Sequence, residues 1–318
     1  MSFKEIRGNS GSINFLRQTF LNHKEALVYL FQGQEGIGKR LIAHNLAKAL
    51  NCSKREDFDS CDECPSCRKI DTANHMDVFY ISPLPSGSIG IDEIRLLKER
   101  VYLKTYEAKK KIFIIDDAER LTLEAANACL KILEEPLSDC LFILISSKPN
   151  LIIPTILSRC YKLRFSPLEK KELKNILIAD FKLNPLLAHY LAYFTAGRIG
   201  KAIRLSNQPD ILTYKNRIID DFFSSSSIFN DKEIKRDKLK EVLEILLSWF
   251  RDLYMVKSGI SSEELINIDR EDKIVRQTKH YTLGEIGEMI NFIGETNLLL
   301  DKNINPKLLW SNLKVRTR

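Results

Sequence analysis

The feature of this chain that most constrains its fold is the segment Gly33–Arg40, which reads Gly-Gln-Glu-Gly-Ile-Gly-Lys-Arg and follows an apolar run. The segment agrees with the phosphate-binding pattern G-x-x-x-x-G-K-[ST] at every position except the last. In that pattern the glycines let backbone N–H groups surround phosphate oxygens, the lysine reaches the terminal phosphates, and the final hydroxyl binds Mg²⁺. Arg40 stands where the hydroxyl is expected, so the loop predicts a phosphate site that lacks one metal ligand.

The order of predicted elements over the first 166 residues indicates an α/β domain. Continuous apolar runs such as Ile112-Phe113-Ile114-Ile115 are typical of strands in a parallel sheet that is covered on both faces. Alternation of such strands with helices predicts a doubly wound sheet with ligands at the carboxyl ends of its strands. The predicted strands are 27–32, 77–81, 111–116, 140–146 and 161–165, and the predicted helices between them are 39–50, 91–103, 122–134 and 154–158.

The surroundings of the glycine-rich loop favour a nucleotide site over a plain tight turn, which glycines alone would allow. A strand precedes the loop and a helix follows it, so the positive end of the helix would face a bound anion. The candidate nucleotide contacts in the loop are Gly33, Gly36, Gly38, Lys39 and Arg40.

Two further candidate contacts, Asp116 and Asp117, end a buried strand. In P-loop proteins a carboxylate there holds Mg²⁺, often beside a glutamate that orients the attacking water. Asp117 occupies the glutamate position with a side chain one methylene shorter, and a misplacement of about 1 Å is costly in catalysis. Acidic residues at a strand end without a catalytic role are the alternative.

Four cysteines, Cys52, Cys61, Cys64 and Cys67, have the spacing C-x8-C-x2-C-x2-C. Four thiolates this close together suit one tetrahedral zinc with Zn–S bonds of about 2.3 Å. Since protein ligands fill all four positions, the zinc would be structural. A redox dithiol is the alternative, and disulfides are not expected without an export signal. The remaining cysteines, at 129, 140 and 160, are predicted to lie in the core.

The tripeptide Ser158-Arg159-Cys160 ends the predicted α/β domain. Arg159 could pair with a local carboxylate. It could instead act as an arginine finger, which stabilises charge on the phosphate that a neighbouring subunit holds. The chemistry of the residues leaves both interpretations open.

The second half of the chain has helical patterns throughout. Ser166-Pro167 marks the break, because proline cannot continue a strand ladder. Helices of about ten residues are predicted at 170–181, 185–195 and 199–205, and longer helical runs follow, interrupted by the serines 224–227. We therefore expect three domains: 1–166, which includes the cysteine module at about 52–67, then a small helical domain at 167–208 and an α-helical domain at 209–318.

Charge and hydropathy limit the location and the partners of the chain. The segment 95–111 carries seven cations and two anions, a net charge of +5, and residues 301–318 carry five cations and one anion, a net charge of +4. Such runs are either phosphate-tracking surfaces or solvated helix faces. There is no apolar stretch of membrane-spanning length and no signal-peptide pattern, which predicts a cytoplasmic location. The five histidines show no metal-ligand or triad spacing.

Taken together, these motifs resemble the clamp-loader branch of the AAA+ proteins, in particular the δ′ class of bacterial DNA polymerase III subunits. The resemblance follows the whole chain. Besides the loop and the cysteines, it rests on Gly90–Arg95, Asn127–Pro136, Ser158–Cys160 and Asn303–Leu309. The segments Leu-Lys-Ile-Leu-Glu-Glu-Pro and Ser-Arg-Cys are its most specific parts.

This resemblance implies an AAA+ P-loop domain with a parallel sheet, a small helical lid domain and an all-α collar domain that oligomerises. Three positions depart from the ATP-hydrolysing γ and τ motors of the family. Arg40 replaces the metal-binding hydroxyl, Asp117 replaces the glutamate, and Gly200 falls where the motors have an arginine that contacts nucleotide. Arg198 lies close to that position and could substitute for it.

The function implied by the resemblance is that of a non-hydrolysing stator in a hetero-pentamer with γ/τ and δ subunits. Arg159 would serve as a finger in trans at a γ/τ ATPase, so that the sliding clamp is loaded on primer-template DNA. Zinc is the implied structural cofactor, and the binding of ATP or ADP at the degenerate loop is left open. One alternative is an ATP-hydrolysing γ/τ-type subunit in which Lys39 and Asp116 suffice. The other is a zinc-containing DNA-binding protein, although few aromatic residues alternate with basic ones near the cysteines.

Overall fold

The computed structural model describes residues 2–22, 27–55, 57–224, 234–302 and 304–316. They form two compact units, Met1–Leu168 with Arg198–Lys201 and Glu169–Gly197 with Ala202–Arg318. The separation of the second unit into a lid at 167–208 and a collar at 209–318 stays a prediction. Residues 225–227 of the predicted serine linker, His23, Asn303 and the last two residues of the basic tail lie outside the described residues.

The first unit is built on a parallel sheet, as predicted. Within the described residues it has five strands in the order β2-β3-β4-β1-β5. Each predicted strand is confirmed to within one residue at either end. The strands are β1 (Val28–Gln32), β2 (Val78–Ile81), β3 (Lys111–Ile115), β4 (Cys140–Ser146) and β5 (Tyr161–Arg164).

Helices cover both faces of this sheet. The four helices predicted here are confirmed to within one residue, whereas α1 and α3 were not predicted. α3 has only seven residues, too few for a helical periodicity to be read from sequence. The helices are α1 (Ser10–Leu21), α2 (Lys39–Asn51), α3 (Pro65–Asp71), α4 (Ile91–Tyr102), α5 (Leu123–Glu134) and α6 (Pro154–Leu157).

The core of the first unit lies in two layers, one on each side of the sheet. In β1, Tyr29 and Phe31 belong to one layer, and Val28 and Leu30 belong to the other. Every residue of β3 and β4 is buried, which is why these strands read as continuous apolar runs in the sequence.

The second unit is helical in all its described elements. The apolar face predicted for α11 is buried as expected, from Leu239 to Leu253, and packs around Trp249 and Trp310. α7 ends two residues before its predicted end, because the chain turns at Lys182, whose φ is +56°. No described helix of the chain is both long and apolar enough to cross a membrane. The remaining helices are α7 (Lys170–Ala179), α8 (Pro185–Phe194), α9 (Ile199–Ser206), α10 (Ile211–Phe223), α11 (Arg236–Lys257), α12 (Glu271–Thr278), α13 (Leu283–Asp301) and α14 (Pro306–Arg316).

Gly33 is the position at which the sheet and the glycine-rich loop meet most tightly. Its φ is +150°, and an added Cβ would lie 2.4 Å from the carbonyl oxygen of Phe165. We expect Gly33→Ala to lower the free energy of unfolding by about 2 kcal/mol or more, because backbone must move to admit the methyl group. Gly11→Ala is the matched control, since no atom lies within 4 Å of its added Cβ and Gly11 is helical. Denaturant unfolding of both variants checks this, and equal effects of the two substitutions would contradict the packing argument.

Candidate functional site

The glycine-rich loop connects β1 to α2, as the sequence predicted. Gly33, Gly36 and Gly38 all have positive φ, at +150°, +80° and +96°. Gly38 is the N-cap residue of α2. The free N–H groups of the first turn of α2 therefore begin directly at the loop, in the arrangement that binds anions.

Lys39, the first residue of α2, is turned into this loop. Its ammonium donates to the carbonyl oxygens of Gly33 at 2.6 Å and of Gln34 at 2.7 Å, and the residue is only 6% exposed. Burial lowers the pKa of Lys39, while the charges of Glu119 and Asp116 oppose that shift. An ammonium has three donors. Among the described residues the third donor of Lys39 has no acceptor, which leaves it for a ligand at the loop.

Arg40 meets the first of the two predicted carboxylates. Its Nη1 donates to Oδ2 of Asp116 at 3.2 Å, and its guanidinium lies 5.9 Å from the ring centroid of Tyr80. The Asp116 side chain is 21% exposed, whereas that of Arg40 is 61% exposed. A fixed cation thus contacts the carboxylate that would hold Mg²⁺ in a P-loop ATPase.

Asp117 follows Asp116 with a left-handed backbone, at φ 51° and ψ 51°. Its backbone N–H donates to Oδ1 of Asp116 at 3.2 Å, and its carboxylate lies 3.8 Å from Nε of Arg120. Burial and the charge of Asp116 raise the pKa of Asp117. The two predicted aspartates therefore adjoin the loop, and each has a different arginine beside it.

A third carboxylate at this edge of the sheet, Glu119, was not predicted to take part in the site. Its Oε1 accepts from the backbone N–H and the hydroxyl of Ser147, at 3.1 and 2.7 Å, and from the N–H of Lys148 at 3.2 Å. Its Oε2 is buried without a hydrogen-bond partner among the described residues. The only sequence signal was its position three residues after Asp116, since Ser147 is 28 residues away.

Gly200 lies directly against the glycine-rich loop. Its N–H donates to the carbonyl oxygen of Gly36 at 2.7 Å, and an added Cβ would lie 3.0 Å from that oxygen. The segment Arg198–Lys201 belongs to the same compact unit as the loop. At this position the chain therefore brings backbone to the loop at a distance that favours glycine.

The cysteine quartet forms a second candidate site at the other end of α2. The sulfur atoms of Cys52, Cys61, Cys64 and Cys67 all lie within 4.8 Å of one another, and Cys52 Sγ is 3.5 Å from that of Cys61 and 3.9 Å from that of Cys64. Four sulfurs around one zinc at about 2.3 Å would be about 3.8 Å apart. Among the described residues the quartet is the only group suited to hold a metal ion, and its donors fit one.

Backbone donors support the thiolates of this quartet. The N–H groups of Cys61, Cys64 and Cys67 donate to the sulfurs of Cys52, Cys61 and Cys64, at 3.4, 3.3 and 3.5 Å. Burial raises the pKa of the Cys64 thiol, but hydrogen bonds from Cys67 and Ser53 outweigh it and bring the pKa to about 5. Donors of this kind orient ligands and favour the deprotonated form that metals bind at Cys64, whereas burial raises the pKa of the Cys52 and Cys67 thiols.

The cysteine module is anchored to α2 by Lys48, which the sequence did not single out. Its side chain is fully buried and pairs with Asp62 at 2.5 Å and with Asp71 at 2.9 Å. His44, one turn earlier, contacts the hydroxyl of Tyr80 at 2.6 Å and Asp71 at 2.9 Å. These contacts give His44 a structural place outside any metal site, which agrees with its interpretation as an ordinary histidine.

Arg159 has a local carboxylate partner in the isolated chain. Its Nη2 donates to Oε1 of Glu134 at 2.7 Å, and its Nη1 donates to the carbonyl of Thr155 at 2.7 Å and the hydroxyl of Ser158 at 3.2 Å. The Arg159 side chain is 33% exposed and that of Glu134 is 46% exposed. An exposed pair of this kind contributes only about 0–1 kcal/mol, so an incoming phosphate can compete with it.

The basic run 95–111 is not one continuous surface. Arg95 pairs with Asp92 at 3.1 Å, Lys109 donates to the carbonyl of Cys52 at 3.0 Å, and Lys111 is buried and caps the carboxyl end of α4. Of the three cysteines outside the quartet, Cys129 and Cys140 are buried as predicted. Cys160 was also predicted to lie in the core, but it is only half-buried.

The sheet order, the loop after β1 and the carboxylates after β3 define a P-loop protein with the AAA+ fold. The profile of the family described as DNA polymerase III, delta subunit, matches residues 8–169, about half of the chain. A second profile, for the C-terminal part of DNA polymerase III delta subunits, matches residues 219–316. The chain therefore belongs to the DNA polymerase III delta-subunit family.

Individual relatives agree with this assignment. DNA polymerase III subunit delta' of Bacillus subtilis is 29% identical over 311 residues, which cover 94% of this chain and 92% of that protein. Subunit tau of the same organism is 25% identical over 97% of this chain, which spans only 60% of tau. A gamma subunit-related protein from Thermotoga maritima is similar in fold, with a TM-score of 0.51 and 19% identity, over 96% of this chain and all of that one.

Proposed function

We propose that this chain is a δ′-type stator of the DNA polymerase III clamp loader that does not hydrolyse ATP and supplies Arg159 to a neighbouring γ/τ ATPase. The observation that carries the proposal is the 3.2 Å contact between Arg40 and Asp116. Phosphoryl transfer depends on Mg²⁺ between the β- and γ-phosphates, held by a hydroxyl and a carboxylate of the protein. Here the hydroxyl is replaced, and its replacement neutralises the carboxylate.

Two further contacts support a silent active site. Asp117, at the position of the water-orienting glutamate, has a shorter side chain and lies beside Arg120. Gly200, at the position of the nucleotide-binding arginine, contacts the loop through its backbone. Each change removes a different contribution to catalysis, so their effects on the barrier add if they act independently.

The proposed partners are γ/τ and δ subunits in a hetero-pentamer, the sliding clamp, and primer-template DNA reached through the complex within the DNA polymerase III holoenzyme. The helical segment 209–318 is the proposed collar through which the subunits assemble, and the proposed location is the cytoplasm. Delta', tau and gamma subunits of DNA polymerase III are relatives of this chain, which supports a role beside such subunits.

We expect the isolated chain to hydrolyse ATP negligibly. Arg40 repels the metal that must neutralise the developing charge, and Asp116 is already compensated. Steady-state phosphate release should stay well below about 1 s⁻¹, the low end of ordinary enzyme turnover. Turnover near that value that disappears in Lys39→Ala would instead favour the γ/τ-type alternative.

Arg159→Ala should depress ATP turnover by the assembled γ/τ partners while leaving assembly intact. Fingers supplied in trans are worth about 10³–10⁵ in rate at the site they serve. The loss over the whole ring should be smaller, because other sites use other fingers. The measurement is clamp-loading ATPase activity at matched, verified subunit composition.

Glu134→Gln is the matched control for this experiment. It removes the carboxylate partner of Arg159 but keeps the guanidinium. A finger requires the arginine alone, so Glu134→Gln should retain most of the turnover that Arg159→Ala loses. If both variants lose turnover equally, or if Arg159→Ala loses none, Arg159 is a structural residue and the finger assignment fails.

We infer that the metal of the cysteine quartet is zinc with a structural role. Chain purified under reducing conditions should contain one zinc per molecule, and removal by a strong chelator should lower its stability, since metal binding contributes to folding. Cys64→Ser should lose the metal, whereas Cys160→Ser should keep it, because Cys160 lies outside the quartet. Elemental analysis measures both, and absence of stoichiometric zinc in the unaltered chain would rule out this assignment.

A further inference from the structure

The loop that ends at Lys39 has a donor that the folded chain does not use. Lys39 is only 6% exposed, yet only two of the three N–H donors of its ammonium have acceptors among the described residues. A buried polar group that lacks a partner is costly unless a ligand or water completes it. The surrounding loop and the first turn of α2 supply further N–H groups, all of which suit phosphate oxygens.

Arg40 provides a second cation at the same place. Its side chain is 61% exposed, and one hydrogen bond joins its guanidinium to Asp116. A guanidinium has five N–H donors in a fixed plane and stays charged at every physiological pH. The Arg40 guanidinium can therefore keep its bond to Asp116 and still donate to a phosphate. A metal ion would bridge the carboxylate and the phosphate in the same way.

We propose that this loop binds a nucleoside polyphosphate or inorganic pyrophosphate without Mg²⁺, and that the guanidinium of Arg40 takes the place of the metal. The proposal rests on the proposed function only in treating the loop as a phosphate site. The proposed ligand is a polyphosphate anion without bound metal, whether it belongs to a nucleotide or is inorganic pyrophosphate.

Exclusion of the metal rests on Asp116 and Asp117, since Oε2 of Glu119 is without a hydrogen-bond partner among the described residues. Asp116 bonds to Arg40, Asp117 lies beside Arg120, and Oε1 of Glu119 accepts three hydrogen bonds from Ser147 and Lys148. Glu35 is the other carboxylate whose charge acts on Lys39. A divalent ion would have to displace the guanidinium from Asp116 and would still lack the hydroxyl ligand of the usual pattern.

The test is the affinity of the isolated full chain for ADP and for pyrophosphate, measured by calorimetry in excess EDTA and again in excess Mg²⁺. The unaltered chain should bind both probes in EDTA at least as tightly as in Mg²⁺. A loop that uses the metal would instead bind both probes more tightly in Mg²⁺ than in EDTA. Lys39→Ala should abolish binding in both buffers, which places the probes at the loop.

Arg40→Ser restores the hydroxyl of the usual pattern and removes the cation. Since a hydrogen bond to a charged group is worth a factor of about ten to a hundred in affinity, this variant should lose that much in EDTA and regain affinity when Mg²⁺ is added. Arg95→Ser is the charge-matched control, because Arg95 is an exposed residue of α4 paired with Asp92. It should leave both affinities unchanged.

Three results would overturn the proposal: no binding of either probe in EDTA, tighter binding in Mg²⁺ by the unaltered chain, or an Arg40→Ser variant that behaves like the unaltered chain. None of them bears on Arg159, whose role is measured as turnover in the assembled ring. A failed binding experiment with an intact Arg159 effect would leave the stator in place with an unused loop. Metal-free binding without an Arg159 effect would support the phosphate site and contradict the role of Arg159 as a finger.

Discussion

The first unit depends on one buried cation, the ammonium of Lys48. It lies on α2 and is fully buried, and its two carboxylate partners come from different parts of the cysteine module. Asp62 stands between two of the cysteines, and Asp71 ends α3. A buried ammonium without these carboxylates would carry an uncompensated charge, which proteins tolerate poorly. The ion pairs therefore hold the module in the position that brings Cys52, at the end of α2, to the other three thiolates.

Because α2 begins at the glycine-rich loop and ends at Cys52, the same helix positions both candidate sites. It has 13 residues, which separate its ends by about 20 Å at 1.5 Å per residue. Arg40, His44 and Lys48 follow one another at intervals of four and so lie on one face. Through that face the helix contacts Asp116, Tyr80 and the aspartates of the cysteine module. A metal in the quartet would in this way also stabilise the helix on which the loop is built.

Three positions at which we propose that this chain departs from ATP-hydrolysing subunits take part in internal contacts. Arg40 pairs with Asp116, Asp117 adopts a left-handed turn beside Arg120, and Gly200 approaches the carbonyl of Gly36. In the proposed function, each contact occupies a place where a motor would bind metal, water or nucleotide. Subunits delta' and tau of Bacillus subtilis are related to this chain over nearly its whole length. This relation fits a common fold in which such positions can make internal contacts or bind ligands.

The sequence by itself determined the sheet, four of the six helices around it, the loop and the cysteine quartet. These follow from local patterns: apolar runs fit a covered parallel sheet, glycines permit the loop, and close cysteine spacing brings the thiolates together. Only the tertiary structure decided which partner each charged side chain meets. Arg40 and Asp116 are 76 residues apart, Lys48 and Asp71 are 23 apart, and Glu119 and Ser147 are 28 apart. A short-range pattern fixes the conformation of the backbone, but the compensation of a buried charge depends on which strand ends and helices the fold places side by side.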